Sequence, residues 1–182
     1  MAGSIAQQVA DPYAEALLSI GTSNNLIDAF GDDARFILDV LQECPEFGAF
    51  LSNPLLTSDQ KKGVLQTTLS EQVQPLMLNV LKLLCDRRRI LFLGDVCERY
   101  LALRRKLKKI ALAEVISATE LRDDQKQAVV ERVKAMTQST DVELETRIDR
   151  DLIGGVIVRV GSQVIDASLR GQIRRLSLQL AS

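Results

Sequence analysis

The residue types that most often carry chemistry are sparse in this chain. It has no histidine, so the commonest general base and metal ligand near neutral pH is missing. Three cysteines, Cys44, Cys85 and Cys97, are an odd number at wide spacing. That spacing fits neither a disulfide framework nor a zinc site, and no serine or cysteine has a histidine to activate it. We read the cysteines as reduced, small buried apolar residues, Cys85 and Cys97 falling on or beside helix faces. No GxxxxGK[ST] phosphate loop occurs. The adjacent pair Gly154-Gly155 sits in a strand-like run without the following helix that phosphate binding needs, so it reads as a bulge or a close backbone approach. Aspartates and glutamates are plentiful, but their spacing is that of solvated faces and helix caps. No enzyme activity, cofactor or metal is expected.

Two basic clusters carry the remaining polar chemistry. Arg87-Arg88-Arg89 falls at a helix junction, and Arg104 to Lys109 reads RRKLKK at the end of a long helix. Cations near helix C-termini are favoured by the helix dipole. The sharper alternative is a nucleic-acid-binding module. No aromatic residues are interleaved for base stacking, and the net charge is −1, so the helix-end reading is preferred and no nucleic-acid partner is expected.

The elements that must position these groups follow from periodicity. Apolar residues make up 46% and aromatics only 4%, with no tryptophan, so the core must be aliphatic, which suits helices. Ile5, Val9, Ala16, Leu17 and Ile20 share one helical face, and Asp11-Pro12 either caps that helix or lies inside a longer one. Leu26, Phe30, Ala34, Ile37, Leu41 and Cys44 mark a second helix, ended by Pro45. Glu46 to Leu51 is a short third. Thr57 with Gln60 forms a capping box for a fourth through Leu69. Pro75 opens a fifth containing Leu76, Val80, Leu83 and Leu84. Leu93, Val96, Cys97, Tyr100, Leu101 and Leu107 mark a sixth.

Near Lys109 the pattern changes. Ala111 to Ser117 reads as a strand, and Asp123-Asp124 opens an amphipathic helix carrying Val129, Val133 and Met136 to about Gln138. Val142, Leu144, Thr146 and Ile148 then alternate with charged residues, as in a half-buried strand. Asp149 to Asp151 is a turn, Leu152 to Val160 a further strand, Gly161-Ser162 a two-residue turn and Gln163 to Asp166 a returning strand. Leu169, Ile173, Leu176 and Leu180 recur at helical spacing, with Arg170, Arg174 and Arg175 opposite. The expected fold is α+β: an N-terminal six-helix bundle over residues 1–106, then a small α+β domain over 107–182 with a four-stranded sheet and a terminal helix. No apolar run reaches the roughly twenty residues of a membrane span, and the N-terminus lacks the pattern of a secretory signal. Membrane association is expected only through a partner.

The series Val142, Leu144, Ile148-Asp149, Leu152, Gly154-Gly155, Val156, Val158-Arg159 and Gly161 resembles the signature of the delta-subunit family of F-type ATP synthase, which includes the mitochondrial oligomycin-sensitivity-conferring protein. The resemblance runs from DPYAEAL near the N-terminus to GSQVIDASLRGQIRRL near the C-terminus. The segment RRILFLGDVCERYLAL is most similar to cyanobacterial and chloroplast members. It implies a non-catalytic adaptor, one per complex, in the peripheral stalk that links the catalytic headpiece to the membrane sector and resists rotor torque during ATP synthesis driven by a proton gradient. Its place would be the cytoplasmic or stromal face of a coupling membrane, thylakoid by resemblance. In this family the N-terminal bundle receives the N-terminal helix of an alpha subunit between its first and fifth helices. Those positions are Tyr13, Ala16, Leu17 and Ile20, with Val80, Leu83 and Leu84; without the resemblance they would read as the bundle's own core. Tyr13 is the preferred anchor, because a phenol offers apolar area and a hydrogen bond together. The C-terminal part holds b and b-prime type stalk subunits, an interface placed on Leu169, Ile173, Leu176 and Leu180.

Overall fold

Helix α1 (Ala2–Ser23) is continuous through Pro12. A proline removes one intrahelical hydrogen bond, but Ala10, Ala14 and Leu17, at i, i+4 and i+7, are fully buried and hold the helix against its neighbours. The interior placement of Pro12 is thus decided by packing on both sides of it. The structure, a computed structural model, describes residues 2–173, with side chains from residue 6 onward.

The chain divides into two units, Met1–Arg104 and Arg105–Ser182. In the first, α1 is followed by α2 (Ile27–Glu43), α3 (Pro45–Ser52), α4 (Ser58–Leu69), α5 (Pro75–Asp86), a 3-10 turn (Ile90–Phe92) and α6 (Leu93–Lys108), which continues past the division. Local chemistry sets several boundaries. Pro45 and Pro75 stand at the first turn of their helices, where a missing N–H costs nothing. Thr57 and Gln60 form the expected capping box, Thr57 Oγ1 accepting from the Gln60 amide and Gln60 Oε1 from the Thr57 amide. Phe30, Ala34 and Ile37 on α2, Leu81 and Leu84 on α5, and Val96, Cys97 and Tyr100 on α6 enter one buried cluster. Each fully buried aliphatic or aromatic side chain contributes about 1.5–3 kcal/mol.

Polar groups are drawn into this core only where they find partners. The Tyr100 hydroxyl donates to the Ile27 carbonyl at 2.9 Å, and its ring meets Phe30 edge-on at 6.4 Å. Burial pushes the Tyr100 phenol up to about 12. Burial likewise raises Cys85 and takes Cys97 to about 12, so both thiols stay protonated and act as small apolar residues. Cys44 departs from the expectation: it is exposed, because it occupies the single-residue joint between α2 and α3. Leu107 departs too, being 53% exposed on the last turn of α6.

Asp33 gives a testable consequence. It is buried, and Oδ2 accepts from the Gln74 amide at the start of α5, 2.9 Å away. Desolvation raises its carboxyl above the ordinary 3.8, against the lowering effect of that hydrogen bond. The folded state therefore holds a proton at pH values where the unfolded chain has released it. The stabilisation is complete below the unfolded value and lost as pH rises through the folded one. Asp33→Asn keeps an acceptor for Gln74 and removes the titration. Denaturant melts at acidic and neutral pH should find the variant close to wild type in acid and more stable at neutral pH. A variant less stable at neutral pH would mean that the charged bond to Gln74 outweighs desolvation.

The second unit contains β1 (Ile110–Ser117), α7 (Asp123–Thr137), β2 (Asp141–Ile148), β3 (Val156–Val160) and β4 (Gln163–Asp166). The sheet order is β2-β1-β3-β4. β1 and β2 are parallel, joined through α7, while β3 is antiparallel to both β1 and β4. The register aligns Ala113 with Leu144 and Val160, and Val115 with Val158, on one face. That face and Val133 of α7 form the unit's core, with Val129 and Val130 packed against it. The α+β class and the four-stranded sheet are as expected. β2 is buried along only half its length: Val142 is buried, whereas Ile148, expected on the same inward face, is 55% exposed.

Gly154 and Gly155 precede β3 rather than interrupting it. Gly155 has φ +82, and a Cβ there would stand 2.4 Å from the Ala167 carbonyl oxygen and 2.8 Å from the Ser168 Cα. The close backbone approach is real, and it brings the segment after β4 against the entry to β3. Two hydrogen bonds hold it there, Ala167 N–H to the Val156 carbonyl and Leu169 N–H to the Gly154 carbonyl. Ser168 then caps a new helical turn: its Oγ accepts from the Gly171 amide at 3.0 Å and donates to Asp166 Oδ1 at 2.6 Å. Helical backbone begins at Leu169; Leu176 and Leu180 lie outside the described residues.

Candidate functional site

The residues expected to receive a partner helix divide into two groups. Leu17 and Leu84 are fully buried in the first unit's own core, so neither is open to a partner. They are the correction: Leu17 follows buried Ala14 at i+3 and Leu84 follows buried Leu81 at i+3, so both share the inward face of their helices. Ile20 and Val80 are half-buried and lean on that core. Tyr13 is half-buried, while Ala16 and Leu83 are exposed.

Tyr13, Ala16 and Leu83 come together in one shallow depression of about 590 Å³, completed by Pro12, Arg87 and Arg89. Pro12 and the two arginines were not singled out for this site by sequence. The signal for them was present in three successive arginines directly after an apolar helix. Their placement follows from how α5 ends. Arg88 is left-handed at φ +55, the Arg88 amide bonds the Cys85 carbonyl, and the Arg89 amide bonds the Leu84 carbonyl at 2.8 Å. This is a Schellman closure, in which the residue usually found at the left-handed position is glycine. The reversal carries Arg89 back toward α1. There its Nη1 donates to the Tyr13 phenol oxygen at 3.3 Å, and its guanidinium carbon lies 5.8 Å from the centre of the Tyr13 ring. The result is an apolar floor with cations at one end.

The second basic cluster is not a continuous patch. Arg104 is buried and bonds Asp28 Oδ1 at 2.8 Å, and Arg105 pairs with Glu143 at 3.3 Å. Both charges are spent inside their own units. In the second unit Leu169 and Ile173 are exposed at 46% and 58%. Leu169 also touches the backbone at Gly154, where an added Cβ would be 2.9 Å from its Cδ1. Among the described residues no cluster of three or more acidic, cysteine or histidine side chains is placed to hold a metal, and no described helix is long and apolar enough to cross a membrane.

The first unit presents an apolar depression edged by cations, and the second presents exposed leucine and isoleucine. A family model described as ATP synthase delta (OSCP) subunit matches residues 9–180. The chain is 52% identical over 181 residues to ATP synthase subunit delta of Synechococcus sp. (strain JA-2-3B'a(2-13)), covering the whole of both. It is 52% identical to the subunit of that name from Thermosynechococcus vestitus, covering all of this chain and 98% of the relative. Its fold is similar to a chain in a cryo-EM structure of the Toxoplasma gondii mitochondrial ATP synthase hexamer, with TM-score 0.72 over 94% of this chain and 96% of that one, at 24% identity. The chain belongs to the ATP synthase delta (OSCP) subunit family. It is a structural subunit of an ATP synthase and not itself catalytic.

Proposed function

We propose that this chain is the adaptor between the catalytic headpiece and the peripheral stalk. The six helices of the first unit act as one bundle that receives the N-terminal helix of an alpha subunit. That helix lies over Tyr13, Ala16 and Leu83, with Ile20 and Val80 flanking. The second unit carries the b and b-prime type stalk subunits through Leu169 and the helix it begins. The observation that carries the reading is the depression: three of the seven positions that the family resemblance assigned to a partner helix line one exposed apolar surface. Groove-bound amphipathic helices take their affinity from such apolar anchors.

The physical task follows from the machine. Torque on the central rotor would turn the headpiece unless a stationary element resists it. The adaptor bears that load through interfaces alone, and its own chemistry is not required. It sits at the coupling membrane as a peripheral subunit, on a thylakoid if this chain shares the setting of its cyanobacterial relatives.

A fragment of residues 1–106 tests the division of labour. At this length a helical unit is large enough to close a core. The fragment should show a cooperative thermal transition and bind the alpha N-terminal peptide as the full chain does. It should fail to co-purify with stalk segments. An unfolded fragment would refute the boundary, and one that captures the stalk would refute the assignment of stalk binding to the second unit.

A further inference from the structure

The arginine end of the depression has chemistry that an apolar anchor does not use. Among the described residues no carboxylate pairs with Arg87 or Arg89; the partner that Arg89 has is the neutral Tyr13 phenol. A guanidinium offers five donors in a planar fork, and one long bond to a phenol leaves most of them to solvent. Helix-dipole compensation accounts for cations near the end of α5. It does not account for Arg89 being folded back across α1 onto the Tyr13 ring. The Schellman reversal costs something as well, since Arg88 takes a left-handed conformation that glycine would adopt freely. Backbone geometry, ring and hydrogen bond all act to aim one fork at one end of an apolar surface.

The geometry points to charge-selective docking: the helix that binds here presents, beside its apolar stripe, a carboxylate that Arg89 and Arg87 grip. The inference rests on the docking reading above and deepens it, because it specifies what the occupant must carry and where. Arg89 is already held by Tyr13, so the ordering cost of a long flexible side chain is partly met before the partner arrives. The carboxylate meets it as a charge-assisted, two-pronged bond next to an apolar surface that excludes water as the helix seats. Two consequences separate this from a merely basic rim. Affinity depends on the planar fork as well as on charge, so lysine is a poor substitute. The dependence also belongs to one acidic position on the partner and not to its net charge.

The test is calorimetric titration of the full chain with a synthetic peptide of the alpha-subunit N-terminal segment. Variants of the peptide change each Asp or Glu in turn to Asn or Gln. The chains are wild type, Arg89→Gln, Arg89→Lys, Arg87→Gln and Tyr13→Asp, each checked for an intact melting transition. Arg89→Gln should weaken binding by about tenfold, with Arg89→Lys restoring only part of it. One amide peptide should bind wild type about tenfold more weakly, yet bind Arg89→Gln no worse than its parent does, the mark of a direct pair. If Arg89→Gln and Arg87→Gln bind as wild type while Tyr13→Asp does not, the charge selection is overturned and the docking reading stands. If every amide peptide binds wild type like its parent, the charge selection is overturned in the same way. If Tyr13→Asp too binds as wild type, the docking reading itself fails and this inference falls with it.

Discussion

A chain carrying Gly155→Val is expected to lose the cooperative fold of the Arg105–Ser182 unit. Two independent costs meet at this position. The backbone holds φ at +82, where a β-branched residue is strained whatever space surrounds it. The new Cβ would also be driven to 2.4 Å from the Ala167 carbonyl oxygen and 2.8 Å from the Ser168 Cα, and backbone atoms cannot swing aside as a long side chain can. Relief means separating the 166–169 segment from β3. That breaks the Ala167–Val156 and Leu169–Gly154 hydrogen bonds and releases the Ser168 cap. The penalty should exceed about 3 kcal/mol, a large share of what a unit of this size can hold. Gly161→Ala is the matched control. Gly161 also has positive φ, at +57, but nothing lies within 4 Å of an added Cβ, so about 1–2 kcal/mol is expected. Thermal melts of both variants decide the matter. Equal, small losses would show that the approach of Ala167 to Gly155 is not tight in solution.

The second large effect is on binding. Tyr13→Asp should weaken capture of the alpha N-terminal helix by about 2 kcal/mol or more, because a half-buried aromatic anchor is replaced by a charge that the incoming helix must desolvate. The new carboxylate would stand beside Arg89 and take up the fork left to the partner, which adds to the loss. Tyr13 lines the depression and only leans on the buried cluster, so circular dichroism should still report a folded helical unit. Tyr13→Phe is the informative companion. It keeps the ring under Arg89 and deletes the weak 3.3 Å hydrogen bond, so most of the affinity should remain. If Tyr13→Asp binds as tightly as wild type, Tyr13 is not in the interface.

What could be read from the sequence was what is decided over one or two turns of chain. The Thr57–Gln60 box, the Pro75 start, the Gly161-Ser162 hairpin and the Asp123-Asp124 helix start are each fixed by neighbours within four residues, and all four stand as expected. Positions whose environment is made by distant chain were harder. Leu17 and Leu84 have the same type and local spacing as neighbours that remain accessible, and only the buried cluster of the first unit shows that they face inward. Arg104 reads as one cation among several until Asp28, 76 positions away in sequence, is found beside it. Ile148 continues a clean alternation, yet burial along β2 fades after Leu144 and Ile148 stands 55% exposed. The depression is half legible: the resemblance points to Tyr13, Ala16 and Leu83, but Arg89 joins them only because α5 ends in a reversal that arginine rarely makes.

The role proposed for the chain is mechanical, joining headpiece to stalk without chemistry of its own. Reconstitution tests it most directly. Coupling membranes stripped of this subunit, together with headpiece and stalk, are supplied with the purified chain, and proton-driven ATP synthesis is followed alongside ATP hydrolysis by the free headpiece. One chain per headpiece is expected to restore attachment and synthesis, while hydrolysis by the free headpiece is unchanged. Full attachment and synthesis without the chain, or hydrolytic activity in the isolated chain, would contradict it.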